Sequence, residues 1–96
     1  MIIIYDEGTK FLDMDKVVWM KIDKSEQWII LQADCIDNDQ VTLWCKPYNS
    51  LKEAEDIMLQ AKQLLMSIAK QICSDKLYET INCYELTPNN ELKRID

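Results

Sequence analysis

SLKEAEDIMLQAKQLLMSIAKQIC, from Ser50 to Cys73, is the stretch on which the fold turns. Ala54, Ile57, Met58, Ala61, Leu64, Leu65, Ile68 and Ile72 recur at steps of three and four, so they fall on one face of a helix. Ser50 is a good N-cap, and Glu53 three residues on completes a capping box that satisfies two otherwise free backbone donors. Acidic Glu53, Glu55 and Asp56 sit at the positive end of the helix dipole, with Lys62 and Lys70 further along. The pattern predicts one long amphipathic helix over 50–73.

Upstream, the period changes from helical to strand-like. Ile2–Tyr5 reads as a short strand followed by the turn Asp6-Glu7-Gly8-Thr9, with Gly8 free to take positive φ; Phe11-Leu12 resumes the sheet. Lys16–Asp23, Trp28–Cys35 and Val41–Cys45 are richer strands, separated by the polar turns Lys24–Gln27 and Asp37-Asn38-Asp39. Short connections between consecutive strands predict an antiparallel meander. The expected fold class is therefore α+β: a meander of three to five strands, then the long helix packed on one sheet face. Residues 1–86 are expected to form a single domain. Leu77–Leu86 reads as a final strand or a helical extension, and 87–96 as a mobile C-terminal tail.

Alternation assigns Val18, Met20 and Ile22, then Ile29, Leu31, Ala33 and Cys35, then Val41, Leu43 and Cys45 to the core face. The opposite face carries Trp19, Trp28, Ile30, Gln32 and Trp44. If Asp23 pairs with Trp28 and Cys35 with Val41, Gln32 lies between Trp19 and Trp44. One helix covers one face, so this second face is covered by Leu77–Leu86, relieved by one-residue bulges that turn tryptophans inward, or reserved for another chain. Tryptophan is enriched at interface hot spots, which makes these five residues a candidate interface. Leu59, Met66 and Cys73 recur every seven residues beside the main helical stripe. They read as a broadening of the core-facing stripe, with a partner-helix groove or half of a homodimer seam as the alternative.

Ninety-six residues suit one core, and 48% hydrophobic with 29% charged residues is a globular composition. The net charge of −6 disfavours direct nucleic-acid binding, and no apolar run is long enough for a membrane span. The N-terminal run lacks a basic n-region, so no secretory signal is expected. Cys35, Cys45, Cys73 and Cys83 have no close pairing, which points to reduced thiols in a cytoplasmic setting and against structural zinc.

With no histidine and one glycine, the usual general base, His-assisted nucleophiles and glycine-rich phosphate loops are missing. Asp34, Asp37 and Asp39 lack the glycine and distal glutamate of a calcium loop and read as a solvated turn. Asp13 and Asp15 flank a turn. The expectation is a non-enzyme with no metal and no cofactor, acting on a protein partner or on itself. An acidic inhibitor of a nucleic-acid-binding or defence enzyme, encoded by a phage or mobile element, is the alternative.

The opening strand, Phe11-Leu12-Asp13-Met14-Asp15-Lys16-Val17, the strands joined at Asp37-Asn38-Asp39, and Tyr48-Asn49-Ser50-Leu51-Lys52-Glu53-Ala54 form a pattern. Over residues 1–65 it resembles short uncharacterised proteins of low-GC Gram-positive bacteria and their phages. The resemblance implies a sheet-plus-helix fold in a cytoplasmic bacterial or phage context, and it carries over no catalytic or binding residue. The tryptophans, the cysteines and the longer C-terminal part depart from the pattern.

Overall fold

The computed structural model describes residues 1–79 and 81–95 and shows an α+β fold. Strands β1 (Ile2–Tyr5) and β2 (Lys10–Asp13) precede a 3-10 turn, Met14–Lys16. Strands β3 (Val17–Lys24), β4 (Trp28–Cys35) and β5 (Gln40–Pro47) follow, then helix α1 (Leu51–Leu77) and strands β6 (Cys83–Leu86) and β7 (Leu92–Ile95). The strands form two sheets rather than one: an antiparallel β3-β4-β5 meander and a four-stranded sheet ordered β2-β1-β6-β7. The chain divides into two compact units, Lys16–Gln63 and the pair of segments Met1–Asp15 and Leu64–Asp96.

In the unit Lys16–Gln63, Ile29, Leu31, Ala33, Leu43 and Trp44 of the meander are buried, as are Ala54, Ile57 and Ala61 of α1. The β4–β5 turn forms at the predicted place, with Asn38 at φ 68°. The helix start also follows its sequence: Ser50 Oγ accepts the Glu53 N–H at 3.1 Å, and Glu53 Oε2 accepts the Asn49 N–H at 3.2 Å.

In the other unit, β1 and β2 are joined by a turn in which Asp6, Glu7 and Gly8 all take positive φ. β1 pairs antiparallel with β2 but parallel with β6, and β7 closes the far edge antiparallel to β6. The expected tail thus contains a strand, registered Leu86 with Leu92 and Cys83 with Ile95. Ile3, Tyr5, Leu12, Tyr84 and Leu86 are buried on one sheet face, with Leu64 and Ile68 of α1. Tyr84 bonds directly to Gln71 on the helix.

The helix ends at Leu77, four residues beyond the expected stop, with Glu79 in the left-handed conformation just after it. The apolar stripe continues through Asp75, which is buried at the position where an apolar residue would keep the pattern. A carboxylate in that slot ends the hydrophobic signal before the helix itself ends.

Candidate functional site

Two bulges rearrange the expected tryptophan face. Asp23 pairs with Ile30, not Trp28, and Trp19 lies opposite Asp34. Leu31 pairs with Trp44 and Gln32 with Thr42, so Leu43 is one residue in excess and the alternation of β5 inverts there. Leu43 and Trp44 are consequently both buried, Trp44 at 8% exposure, while Cys45 turns outward opposite Ile30. The second bulge makes Val18 the extra residue of β3 and leaves it exposed rather than in the core.

Gln32 is therefore flanked by Lys21 and Thr42 instead of two tryptophans. Trp19 is 56% exposed with the Lys21 ammonium 5.5 Å from its ring centroid, and Trp28 is also exposed. They lie six β4 positions apart, about 20 Å along the strands. Ile30 and Gln32 are half-buried between them. The structure does not gather the three tryptophans into one platform.

Leu59 and Met66 are exposed, Met66 at 59%, and Cys73 is exposed one heptad on. On a wheel of 100° per residue, Met66 lies opposite the buried positions Leu64 and Ile68. This heptad does not widen the core stripe; it runs along the solvent side of the helix. Lys62 and Lys70 flank Met66, and the one carboxylate between residues 57 and 77 is the buried Asp75.

A further apolar surface, on the face of the four-stranded sheet away from the helix, involves residues outside the candidate interface. Because Ile3 and Tyr5 face inward, Ile2 and Ile4 face outward, and the register continues each row across the four-stranded sheet. One row runs Asp13–Ile2–Cys83–Ile95 and the other Phe11–Ile4–Glu85–Lys93. Five of these eight side chains are apolar or thiol. Phe11, on the β2 edge, is 71% exposed, and the central Ile2, Ile4 and Cys83 are half-buried by their neighbours. Within this unit the helix lies on the opposite face.

Two polar sites lie elsewhere in the chain, one in each unit. An open cleft of about 610 Å³ lies between the β3–β4 turn and the start of α1, lined in part by Lys24, Glu26, Trp28, Tyr48 and Leu51. The Tyr48 hydroxyl donates to the Ser25 carbonyl, and the Lys24 ammonium sits 5.7 Å from the Tyr48 ring centroid. In the other unit, Asp75 is 6% exposed; its Oδ1 accepts the Asn82 amide at 2.9 Å and the Tyr84 hydroxyl at 3.3 Å. The same hydroxyl lies 2.9 Å from Gln71 Oε1, and Arg94 donates to Asn82 Oδ1 at 3.2 Å. Burial, followed by the nearby Asp75 carboxylate, raises the Tyr84 phenol above its usual range. Asp75 and Tyr84 are both closed to solvent, so the cluster anchors helix to sheet and offers no entry to a substrate.

All four cysteines are free. Partial burial and the carboxylates of Asp37, Asp39 and Asp34 push the Cys35 thiol upward, away from the thiolate a nucleophile needs. Among the described residues no three His, Cys, Asp or Glu side chains converge as metal ligands, and no helix is long and apolar enough to cross a membrane. No protein-family model matches the sequence, and comparison with curated proteins and with solved structures returns no match.

Proposed function

We propose that the protein is a non-catalytic protein–protein interaction module, at work in the cytoplasm where its four thiols stay reduced. The observation that carries this reading is the outer face of the four-stranded sheet, where Ile2, Ile4, Phe11, Cys83 and Ile95 stand together uncovered by the helix. Phe11, at its edge, is a large exposed aromatic, a residue type enriched where proteins bind one another. Trp19 on the meander adds an exposed anchor of the type that dominates interfaces, and Leu59 and Met66 are exposed on the solvent side of α1. The acidic-inhibitor alternative calls for carboxylates gathered on one surface. Eight of the seventeen lie in Lys16–Gln63 and nine in the other unit.

Site-specific photo-crosslinking tests the proposal. A benzophenone amino acid replaces Phe11 on the sheet face or, as an exposed polar control, Glu55 on the helix. The proteins are irradiated both purified and in the expressing cell. Discrete protein adducts at position 11 and none at position 55 are expected. Equal labelling at the two positions, or none at either, would remove the basis of the proposal.

A further inference from the structure

We infer that the free edge of β3 pairs with the β3 edge of a second copy of the chain, antiparallel and centred on Ile22, in a weak and reversible dimer. This edge belongs to Lys16–Gln63, the other unit from the sheet face proposed above, so the self-contact is independent of that face. β3 pairs with β4 alone, and none of its eight residues is fully buried.

Backbone direction comes first. The Ser25 N–H donates to the Trp28 carbonyl at 2.9 Å, which makes Ser25 and Trp28 a hydrogen-bonded pair of the β3–β4 ladder. Bonded and non-bonded pairs alternate, so Asp23–Ile30, Lys21–Gln32 and Trp19–Asp34 are the next bonded pairs. Met20, Ile22 and Lys24 therefore aim both N–H and C=O away from β4, where a further strand can take them up. The other edges offer less. On β5, Pro47 has no N–H and Leu43 is a bulge. β2 and β7 are only four residues long. The bulge of β3 itself is confined to Val18, which leaves Trp19–Lys24 regular.

Charge then selects the occupant and the register. A two-fold axis perpendicular to the sheet and passing beside Ile22 sets Ile22 opposite Ile22 and Met20 opposite Lys24 as bonded pairs. Lys21 of each copy then faces Asp23 of its mate at the non-bonded positions, where side chains come closest. Within the chain the β4 partners of Lys21 and Asp23 are the uncharged Gln32 and Ile30, so neither charge is already answered across the strand. Moving the axis by one residue opposes Lys21 to Lys21 or Asp23 to Asp23. Moving it by two, to Met20, brings the bulged Val18 into the ladder. The Ile22 register is thus isologous, one edge complementing itself, and it joins two three-stranded meanders into one sheet.

The contact is small. Five paired residues at about 3.3 Å each span roughly 17 Å of a single edge, well below the roughly 800 Å² that each partner contributes to a standard interface. Asp23 is exposed, and ion pairs in contact with solvent contribute little. Both facts place the dimer in the weak range.

Sedimentation velocity on the full chain tests this. The weight-average mass of the wild type is expected to rise from 11.4 kDa toward twice that value between about 10 µM and about 1 mM, the range of a weak association. Lys21→Asp and Asp23→Lys should each weaken association about tenfold, because two like-charge pairs then face each other across the axis. The double reversal Lys21→Asp with Asp23→Lys should recover the wild-type constant to within about threefold, the pairs being restored with their signs exchanged. Ile22→Pro removes the outward N–H at the centre of the ladder, on the side where an edge strand tolerates proline, and should leave the chain monomeric to about 1 mM. Phe11→Lys, on the four-stranded sheet, should leave association unchanged. If Ile22→Pro does not fold, the charge variants decide alone.

A wild type that stays monomeric to about 1 mM overturns the inference. So do charge variants that associate like the wild type, a folded double reversal no better than its parents, or a folded Ile22→Pro that still dimerises. Loss of association in Phe11→Lys alone would move the contact to the four-stranded sheet and overturn the edge pairing. A dimer that passes these tests without a crosslink at position 11 defeats only the proposal for the sheet face. A monomer that crosslinks at that position defeats only the edge pairing.

Discussion

Tyr84 ties two elements together through one hydroxyl: its own strand β6 and helix α1, the latter at both Gln71 and Asp75. Tyr84→Phe keeps the ring in the core and removes only the hydroxyl, leaving Asp75 Oδ1 with the Asn82 amide alone. Asp75 Oδ2 already has no hydrogen-bond partner among the described residues. Taking one more donor from a buried carboxylate should destabilise the protein by about 1–3 kcal/mol, read as a lower urea midpoint at pH 7. The phenol has a second consequence at alkaline pH. Its folded pKa lies above the ordinary value of 10.0, so below pH 10 its contribution to stability is fully present. As pH rises beyond 10 the unfolded chain ionises first, and stability falls until the folded phenol titrates. Tyr84→Phe should therefore flatten the loss of stability above pH 10, followed by circular dichroism. An unchanged alkaline slope would show that this phenol is not the group responsible.

At the scale of elements, the helix start is the most local feature and the most predictable. The two bonds that tie Ser50, Glu53 and Asn49 together involve residues within four positions of one another. Ser50→Ala should cost about 1 kcal/mol, lowering the thermal midpoint while leaving helix content unchanged; Ser50→Asp should restore it. A null effect of Ser50→Ala would mean that the helix is held at this end by packing alone. The helix, the hairpin turns and the meander are all legible in sequence because period and turn chemistry act over a few residues. The split into two sheets is not. β1 finds its parallel partner β6 about eighty residues away, and nothing local in Ile2–Tyr5 distinguishes that pairing from one with β3. The expected outward placement of Trp44 was lost for a related reason. A single excess residue, Leu43, inverts the alternation and carries Trp44 into the core, and no residue type in Val41–Cys45 announces a bulge. The outer face of the four-stranded sheet was invisible for as long as β6 and β7 lay unassigned in Leu77–Leu86 and the expected tail.

For the molecule as a whole, the decisive element is α1, which supplies Leu51–Gln63 to one unit and Leu64–Leu77 to the other. A helix is costly to nucleate and propagates cooperatively, so loss of packing along one half weakens the other half through the shared backbone. Trp19, Trp28 and Trp44 all lie in Lys16–Gln63, and the other unit has no tryptophan, which makes tryptophan fluorescence a reporter of the first unit alone. Ile3 is fully buried in the other unit. Ile3→Ala should cost about 2–5 kcal/mol from lost burial and the cavity it leaves. If α1 transmits that loss, the tryptophan-detected urea midpoint falls by about 1–5 M at an m-value of about 1–2 kcal/mol/M. Ellipticity at 222 nm, which reports the entire helix, should then fall in the same single transition. Independent units would behave differently: the tryptophan midpoint of Ile3→Ala would match the wild type, and an earlier phase would appear at 222 nm as the C-terminal half of the helix melted with its sheet. The comparison thus separates one cooperative fold built around a shared helix from two small units that happen to be joined by it.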